Sequence, residues 1–334
     1  MHILLPFRCT LVVKERCGVH LVKDKADANA TPESPDIRIA LVRKITAHMQ
    51  DEGVKQTPVS GLGLYRLSAP SPCTSATYEP SLILFLQGKK RIDVGKTTYL
   101  CGESSLLVAS VDLPVVSQVI QASEQAPILA LILKLEMPVV RELLNQEEFD
   151  IPEESSDARG MSVGVASDEM LGACSRLLSL LDTPADIPFL SSLIQREIIY
   201  RLLRSAQGKH LRAIATVGDQ NNRTAKAIGW LRENYTKQLR VEDLAAIARM
   251  GVSTFHQHFR SLTGMSPIQY QKQLRLHTAR RRILNDGLDA ATAAFEVGYE
   301  SASQFNREYS RFFGQPPMRE VKAHRLSGNE TAHA

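Results

Sequence analysis

The sequence predicts two domains: an N-terminal α+β domain built on a β-barrel with flanking helices, then an all-α domain carrying two helix-turn-helix units. Three observations carry this. Short apolar runs broken by Gly and Pro fill residues 62 to 135. After Met137 the apolar spacing changes to three and four. Between Leu244 and Pro317 the chain repeats itself fifty residues apart: Phe255 recurs as Phe305, Phe259 as Tyr309, Leu262 as Phe312, Gly264 as Gly314 and Pro267 as Pro317.

Residues 1 to 35 mix charge with Ala, Pro and Ser and read as a flexible tail. The first domain is expected over residues 36 to 207. Asp36 opens a helix with Ile39, Leu41, Val42, Ile45 and Met49 on one face, ending near Gly53. The runs Leu64–Leu67, Ser81–Leu86, Arg91–Val94, Thr98–Leu100, Ser105–Ala109, Val115–Ile120 and Ile128–Leu133 read as strands of an antiparallel barrel or sandwich. Helices are expected from Pro138 to Asn145, Asp168 to Leu181 and Ile187 to Ala206. The last carries an apolar stripe of Leu190, Leu193, Ile194, Ile198, Leu202 and Leu203, which packs either on its own domain or across a homodimer seam. Val217 to Arg223 is polar, so residues 208 to 223 are read as a linker. The second domain then spans 224 to 320, with a flexible tail from 321 to 334.

With 334 residues each domain can bury a core without staples. The five cysteines, Cys9, Cys17, Cys73, Cys101 and Cys174, are scattered and form no CxxC pair. A reducing cytoplasm fits, and Met1 to Phe7 is too short for a secretory or membrane-spanning segment. Charge is segregated. Residues 224 to 334 hold 16 Lys+Arg against 10 Asp+Glu, whereas the preceding residues hold 24 against 26. The basic excess therefore lies with the repeat, as phosphate binding requires.

In the first unit Val241 to Ala248 is a short helix, Arg249-Met250-Gly251 the turn, and Val252 to Thr263 the second helix. Gly251 supplies either a positive φ or a weak N-cap. Burying Phe255, Phe259 and Leu262 leaves Ser253, His256 and Gln257 outward as candidate base readers, with Arg260 one turn on for phosphate. His256 and His258 point apart on a helix and share no metal. In the second unit Asp289 and Ser301 cap the two helices and Gly298 allows the turn. Phe305, Tyr309 and Phe312 face inward, and Ser303, Gln304, Asn306 and Arg307 face out. Arg307 is able to grip guanine with two hydrogen bonds. Ser266-Pro267 starts a joining helix that runs to about Asn285, roughly 28 Å at 1.5 Å per residue. That is close to one turn of DNA, so one monomer would read two successive major-groove faces. Arg275, Arg280 and Arg311 join Arg260 as phosphate candidates, about half of the arginines on the joining helix being expected to pair with acids of the bundle instead.

At Gly264-Met-Ser-Pro267, Arg275-Leu-His-Thr-Ala-Arg280, Ala294-Phe-Glu-Val-Gly-Tyr-Glu-Ser301, Gln304-Phe305 and Phe312-Phe-Gly-Gln-Pro-Pro317 the chain resembles the C-terminal domain of AraC-family bacterial transcription regulators. The resemblance implies seven helices, promoter DNA as partner and a place for RNA polymerase beside it. Gly251 departs from the Ser that usually starts the first reading helix there. Tyr78-Glu-Pro80, Gln87-Gly-Lys-Lys-Arg91, Ser110-Val-Asp-Leu-Pro114 and Gln195-Arg-Glu-Ile-Ile-Tyr-Arg-Leu-Leu203 are similar to the N-terminal domain of one subgroup. There the resemblance implies a cupin-like barrel that senses a signal and forms homodimers.

A barrel metal centre would need histidines on facing strands, and none lies between His48 and His210. No P-loop, GxSxG or dinucleotide fingerprint occurs. Neither an enzyme, a metal site nor a cofactor is therefore expected. A small-molecule effector pocket inside the barrel is expected near Tyr65, Ile83, Phe85, Tyr99, Leu106 and Val108, with strand register open. Cys101 and Cys73, near Lys89, Lys90 and Arg91, offer an alternative redox input if a thiol is acidified.

Overall fold

A computed structural model describes residues 20–21, 35–146 and 159–322. The N-terminal tail, apart from residues 20–21, and the tail from 323 lie outside the described residues. Among the described residues eleven strands form two sheets. They are β1 (His20–Leu21), β2 (Gly53–Gln56), β3 (Leu62–Leu67), β4 (Thr74–Tyr78), β5 (Ser81–Gln87), β6 (Lys89–Val94), β7 (Thr97–Cys101), β8 (Ser105–Ala109), β9 (Leu113–Gln121), β10 (Ile128–Lys134) and β11 (Met161–Val165). One sheet runs β1-β7-β6-β9-β4 and the other β11-β8-β5-β10-β3-β2. Every pairing except β1 with β7 is antiparallel.

The central strands of the six-stranded sheet, β8, β5 and β10, are buried on both sides, which explains their near-continuous apolar runs. Leu82, Leu84 and Leu86 of β5 face a helical layer of α1 (Pro35–His48), α3 (Asp168–Ser179) and α4 (Ile187–Arg204). Ile83 and Phe85 face the space between the sheets. Register decides the neighbours' sides. Leu84 pairs with Leu106 and Leu82 with Val108, so Leu106 and Val108 point at the helices. The sequence had put these two with Ile83 and Phe85; Leu107 and Ala109 take that place. A shift of one residue reverses a strand's faces, and the turn that sets this one is not legible beforehand.

A second difference lies between the domains. Residues 208 to 223 are mostly helical: α5 (Lys209–Ala215) follows α2 (Met137–Gln146), α3 and α4, and α6 (Gln220–Glu233) begins before residue 224. Leu211 and Ile214 are buried. The polar run is used for local bonding, since Asp219 caps α6 through the Asn221 amide at 2.6 Å and the Asn222 amide donates to the Ile214 carbonyl at 2.7 Å.

The C-terminal part contains α6, α7 (Val241–Ala248), α8 (Val252–Thr263), α9 (Pro267–Asn285), α10 (Ala290–Glu296) and α11 (Ala302–Phe313), with residues 317–322 helical again. Ser266 and Gln269 form a capping box that starts α9. The first half of α9 packs Tyr270 and Leu274 against the first unit, and its second half packs Leu276, Ala279 and Ile283 against the second. Gly298 turns the second unit at φ +91°, and a Cβ there would collide with the Thr236 carbonyl.

The inter-sheet core does not stop at the barrel. It continues through Ile214, Ile228, Phe255, Phe259 and Tyr270. Gly95 and Gly264 meet where a Cβ on Gly95 would lie 2.5 Å from the Gly264 carbonyl oxygen. The Gly160 amide donates to Leu262 at 2.8 Å and the Tyr270 hydroxyl to the Asp112 carbonyl at 2.7 Å. Arg232 of α6 reaches Asp112 at 2.7 Å and also pairs with Glu79. In this arrangement barrel and first unit behave as one packed body.

Candidate nucleic-acid interface and barrel cavity

The two reading helices bury the same face and expose the same face. In α8, Phe255, Phe259 and Leu262 are buried; Ser253, Gln257 and Arg260 are exposed and His256 is half-buried. In α11, Phe305 and Tyr309 are buried while Ser303, Gln304, Asn306, Arg307 and Arg311 are exposed. Neither outward face is covered by the barrel. Arg307, Arg260 and Arg311 enter no ion pair among the described residues and are exposed on these faces.

The starts of the two helices differ. Ser301 accepts a hydrogen bond from the Gln304 amide, whereas Gly251 caps α8 with φ −64° and no side-chain bond. The positive φ of the first turn falls on Arg249, at +53°, although the sequence had left Gly251 open to it. Gln304 leans toward Glu308 at 3.5 Å, and Glu308 is already held by Lys272 at 3.1 Å and by the Tyr299 hydroxyl at 2.9 Å.

Two of the four phosphate candidates are engaged inside the fold. Arg275 donates to the carbonyls of Tyr235 at 2.8 Å, Thr236 at 3.1 Å and Lys237 at 2.9 Å, closing the loop after α6. Arg280 donates through Nε to Glu320 at 2.8 Å, and Glu320 also accepts from the Tyr309 hydroxyl at 2.7 Å. Both depart from the sequence reading, since each guanidinium already satisfies acceptors within the fold. Arg282 pairs with Glu296, and Arg281 is the exposed member of that basic run.

Sequence reasoning passed over His277. It is buried at 7% exposure on α9, between the barrel and the second unit. Its Nδ1 lies 3.2 Å from the Ala76 carbonyl of β4, which only accepts, so Nδ1 carries the proton. Its ring packs 5.5 Å from Phe312, and its Nε2 has no partner among the described residues. Burial pushes its pKa down to about 4, keeping the ring neutral.

Between the sheets, toward β2, β3 and β4, lies a cavity of about 530 Å³. Tyr65, Ile83 and Phe85 line it as expected, with Ala76, Tyr78 and Lys90. Tyr99 and Cys101 are not part of its wall. The Tyr99 hydroxyl donates to the Met161 carbonyl at 3.1 Å. Burial pushes the Cys101 thiol up to about 12, which removes the thiolate that redox chemistry needs. Cys73 is exposed, with Arg91 3.6 Å from its sulfur. Among the described residues no group of three His, Cys, Asp or Glu is placed to hold a metal. No single helix among them is long and apolar enough to cross a membrane.

Residues 58–210 match the AraC-type transcriptional regulator N-terminus family, and residues 244–322 match the helix-turn-helix domain family. The chain belongs to the AraC family of transcription regulators. It is similar to the activator RhaS of Pectobacterium carotovorum, 29% identical over 100 residues, which is 30% of this chain and 36% of RhaS. It is also similar to the regulator ExsA of Pseudomonas aeruginosa, 27% identical over 158 residues, 47% of this chain and 56% of ExsA. The chain thus spans between about a third and a half of these relatives' lengths. Unsaturated fatty acid bound ToxT of Vibrio cholerae shares the two-domain fold at TM-score 0.51 and 11% identity, over 78% of this chain and 94% of ToxT. Both of these curated relatives are transcription regulators by name.

Proposed function

We propose that this chain is a sequence-specific regulator that places α8 and α11 in successive major-groove faces of promoter DNA. The observation that carries this is the matched pair of reading faces, each exposing hydrogen-bonding side chains beside an unpaired arginine, at the two ends of a helix about 28 Å long by its 1.5 Å rise. Ser253, His256 and Gln257 read one half-site and Ser303, Gln304, Asn306 and Arg307 the other, with Arg260 and Arg311 on phosphate. A cytoplasmic setting and contact with RNA polymerase follow from promoter binding.

The barrel cavity receives the signal. β4 supplies both Ala76 and Tyr78 of the cavity wall and the carbonyl that holds His277. Glu79, at the end of that strand, grips Arg232. An occupant that moves β4 therefore moves the seat of α9, and with it the placing of the two reading helices. On α4, Phe189 is 75% exposed and Leu193 61% exposed. A second copy of the chain covers this patch in a homodimer.

Two substitutions separate base reading from phosphate contact. Arg307→Ala is expected to cost about 1–3 kcal/mol on the preferred duplex and to relax preference at one base position. Arg260→Ala is expected to weaken all duplexes alike and lower the salt slope by about one ion. Competition binding over single-position duplex variants checks both, and the reverse pattern would contradict the assignment.

A further inference from the structure

The barrel reaches the far end of the first reading helix. Val94 pairs with Thr97, so Gly95 and Lys96 form a two-residue turn between β6 and β7. This turn lies against the C-cap of α8. A Cβ on Gly95 would stand 2.5 Å from the Gly264 carbonyl oxygen, and a Cβ on Gly264 would stand 3.1 Å from the Val94 carbonyl oxygen. The two backbones therefore touch with no side chain between them. The Gly160 amide fixes the same corner by donating to the Leu262 carbonyl at 2.8 Å.

The position matters because Gly264 continues the outward stripe of α8. Ser253, Gln257, Arg260 and Gly264 follow one another at spacings of four, three and four, which is one face of a helix. With 12 residues α8 is about 18 Å long, against a major groove ~12 Å wide. With its first turns on base edges, its last turn comes level with a phosphate strand. That end carries the helix's unsatisfied carbonyls and the negative pole of its dipole, both of which repel phosphate. A cation supplied there offsets the repulsion. Arg260 is one, and Lys96 is a second: it is exposed and enters no ion pair among the described residues. The acid closest to it in sequence, Asp93, is taken by Arg91 at 3.2 Å and by the Thr98 hydroxyl at 2.6 Å.

We infer that the barrel is itself part of the DNA interface: Lys96, held in place by the contact of Gly95 with Gly264, pairs with a backbone phosphate beside the first half-site. An ammonium on a flexible stem meets any phosphate equally, so the contact adds affinity and no base preference. It also makes that affinity depend on the docking of the barrel against α8, since a barrel that shifts withdraws the cation. The inference rests on α8 being a reading helix, as proposed above.

Duplex titration of the full chain, with phosphate-ethylation interference on the same DNA, tests it. Lys96→Ala is expected to weaken selected and unselected duplexes alike, about fivefold at ~150 mM salt, and to lower the slope of log affinity against log salt by about 0.9. Interference is expected to vanish at one phosphate flanking the first half-site and to persist elsewhere. Lys96→Arg is expected to keep both the affinity and the pattern. Thermal melting of Lys96→Ala is expected to match the wild type, because the side chain is exposed. Unchanged affinity in Lys96→Ala, tighter binding by a turn that had stood in the way of DNA, or weaker binding with the interference pattern whole would overturn the inference. Arg260→Ala on the same duplexes separates the two readings. Weak binding by Arg260→Ala beside normal binding by Lys96→Ala sinks the barrel contact alone, whereas a wild type that does not prefer the selected duplex sinks the reading of α8.

Discussion

Arg280→Ala is expected to destabilise the second helix-turn-helix unit by about 3–5 kcal/mol, because it strands a carboxylate inside the protein. Glu320 is 8% exposed and has two partners among the described residues, the Arg280 guanidinium at 2.8 Å and the Tyr309 hydroxyl at 2.7 Å. Burial pushes the Tyr309 phenol well up, so it remains a donor. Arg280 also stacks 5.0 Å from the Phe313 ring. Without the guanidinium, one neutral hydrogen bond is left to hold a buried charge. Neutralising both groups, as Arg280→Met with Glu320→Gln, keeps the Tyr309 bond and is expected to restore most of the loss. Urea unfolding of the three proteins checks this. A variant Arg280→Ala that unfolds like the wild type but binds all duplexes weakly would return Arg280 to the phosphate contacts.

Acidification is expected to loosen the joint between barrel and second unit through His277. The unfolded ring takes a proton near 6.5, but the folded ring does so only at about 4. Between these values the unfolded chain binds more protons, so stability falls as pH falls. The contribution is full above pH 6.5. About 3 kcal/mol is lost across the window, roughly 2 of it by pH 5. Other carboxylates titrate in the same range, so the informative quantity is the difference from His277→Leu, which lacks the titrating ring. Measured by urea unfolding, wild-type stability relative to that variant is expected to drop by the amount just given between pH 7 and 5. A constant difference would place His277 in a solvated setting.

How much of this was legible follows from which interactions are local. The reading helices were, because a fifty-residue repeat of aromatic, Gly and Pro positions fixes which face is inward. Most strands were too, as apolar runs. β4 was not: Thr-Ser-Ala-Thr-Tyr has no apolar run, and it is an edge strand whose role comes from α9 lying on it. The linker reading failed for the same kind of reason, since the polar residues 219 to 222 serve helix caps and a carbonyl rather than solvent. Arg275 and Arg280 look alike in sequence to Arg281. Only tertiary contacts, one of them forty residues away, separate structural arginines from exposed ones.

The central claim is that two exposed helix faces read sequence together. Its most direct measurement is titration of the full chain, at ~150 mM salt, against the best duplex selected from a random pool and against unselected duplex. A specific regulator is expected to prefer the selected duplex by roughly 10³-fold or more, with protected bases in two patches about one helical turn apart. Affinities within a few-fold of each other, governed by salt alone, would contradict it.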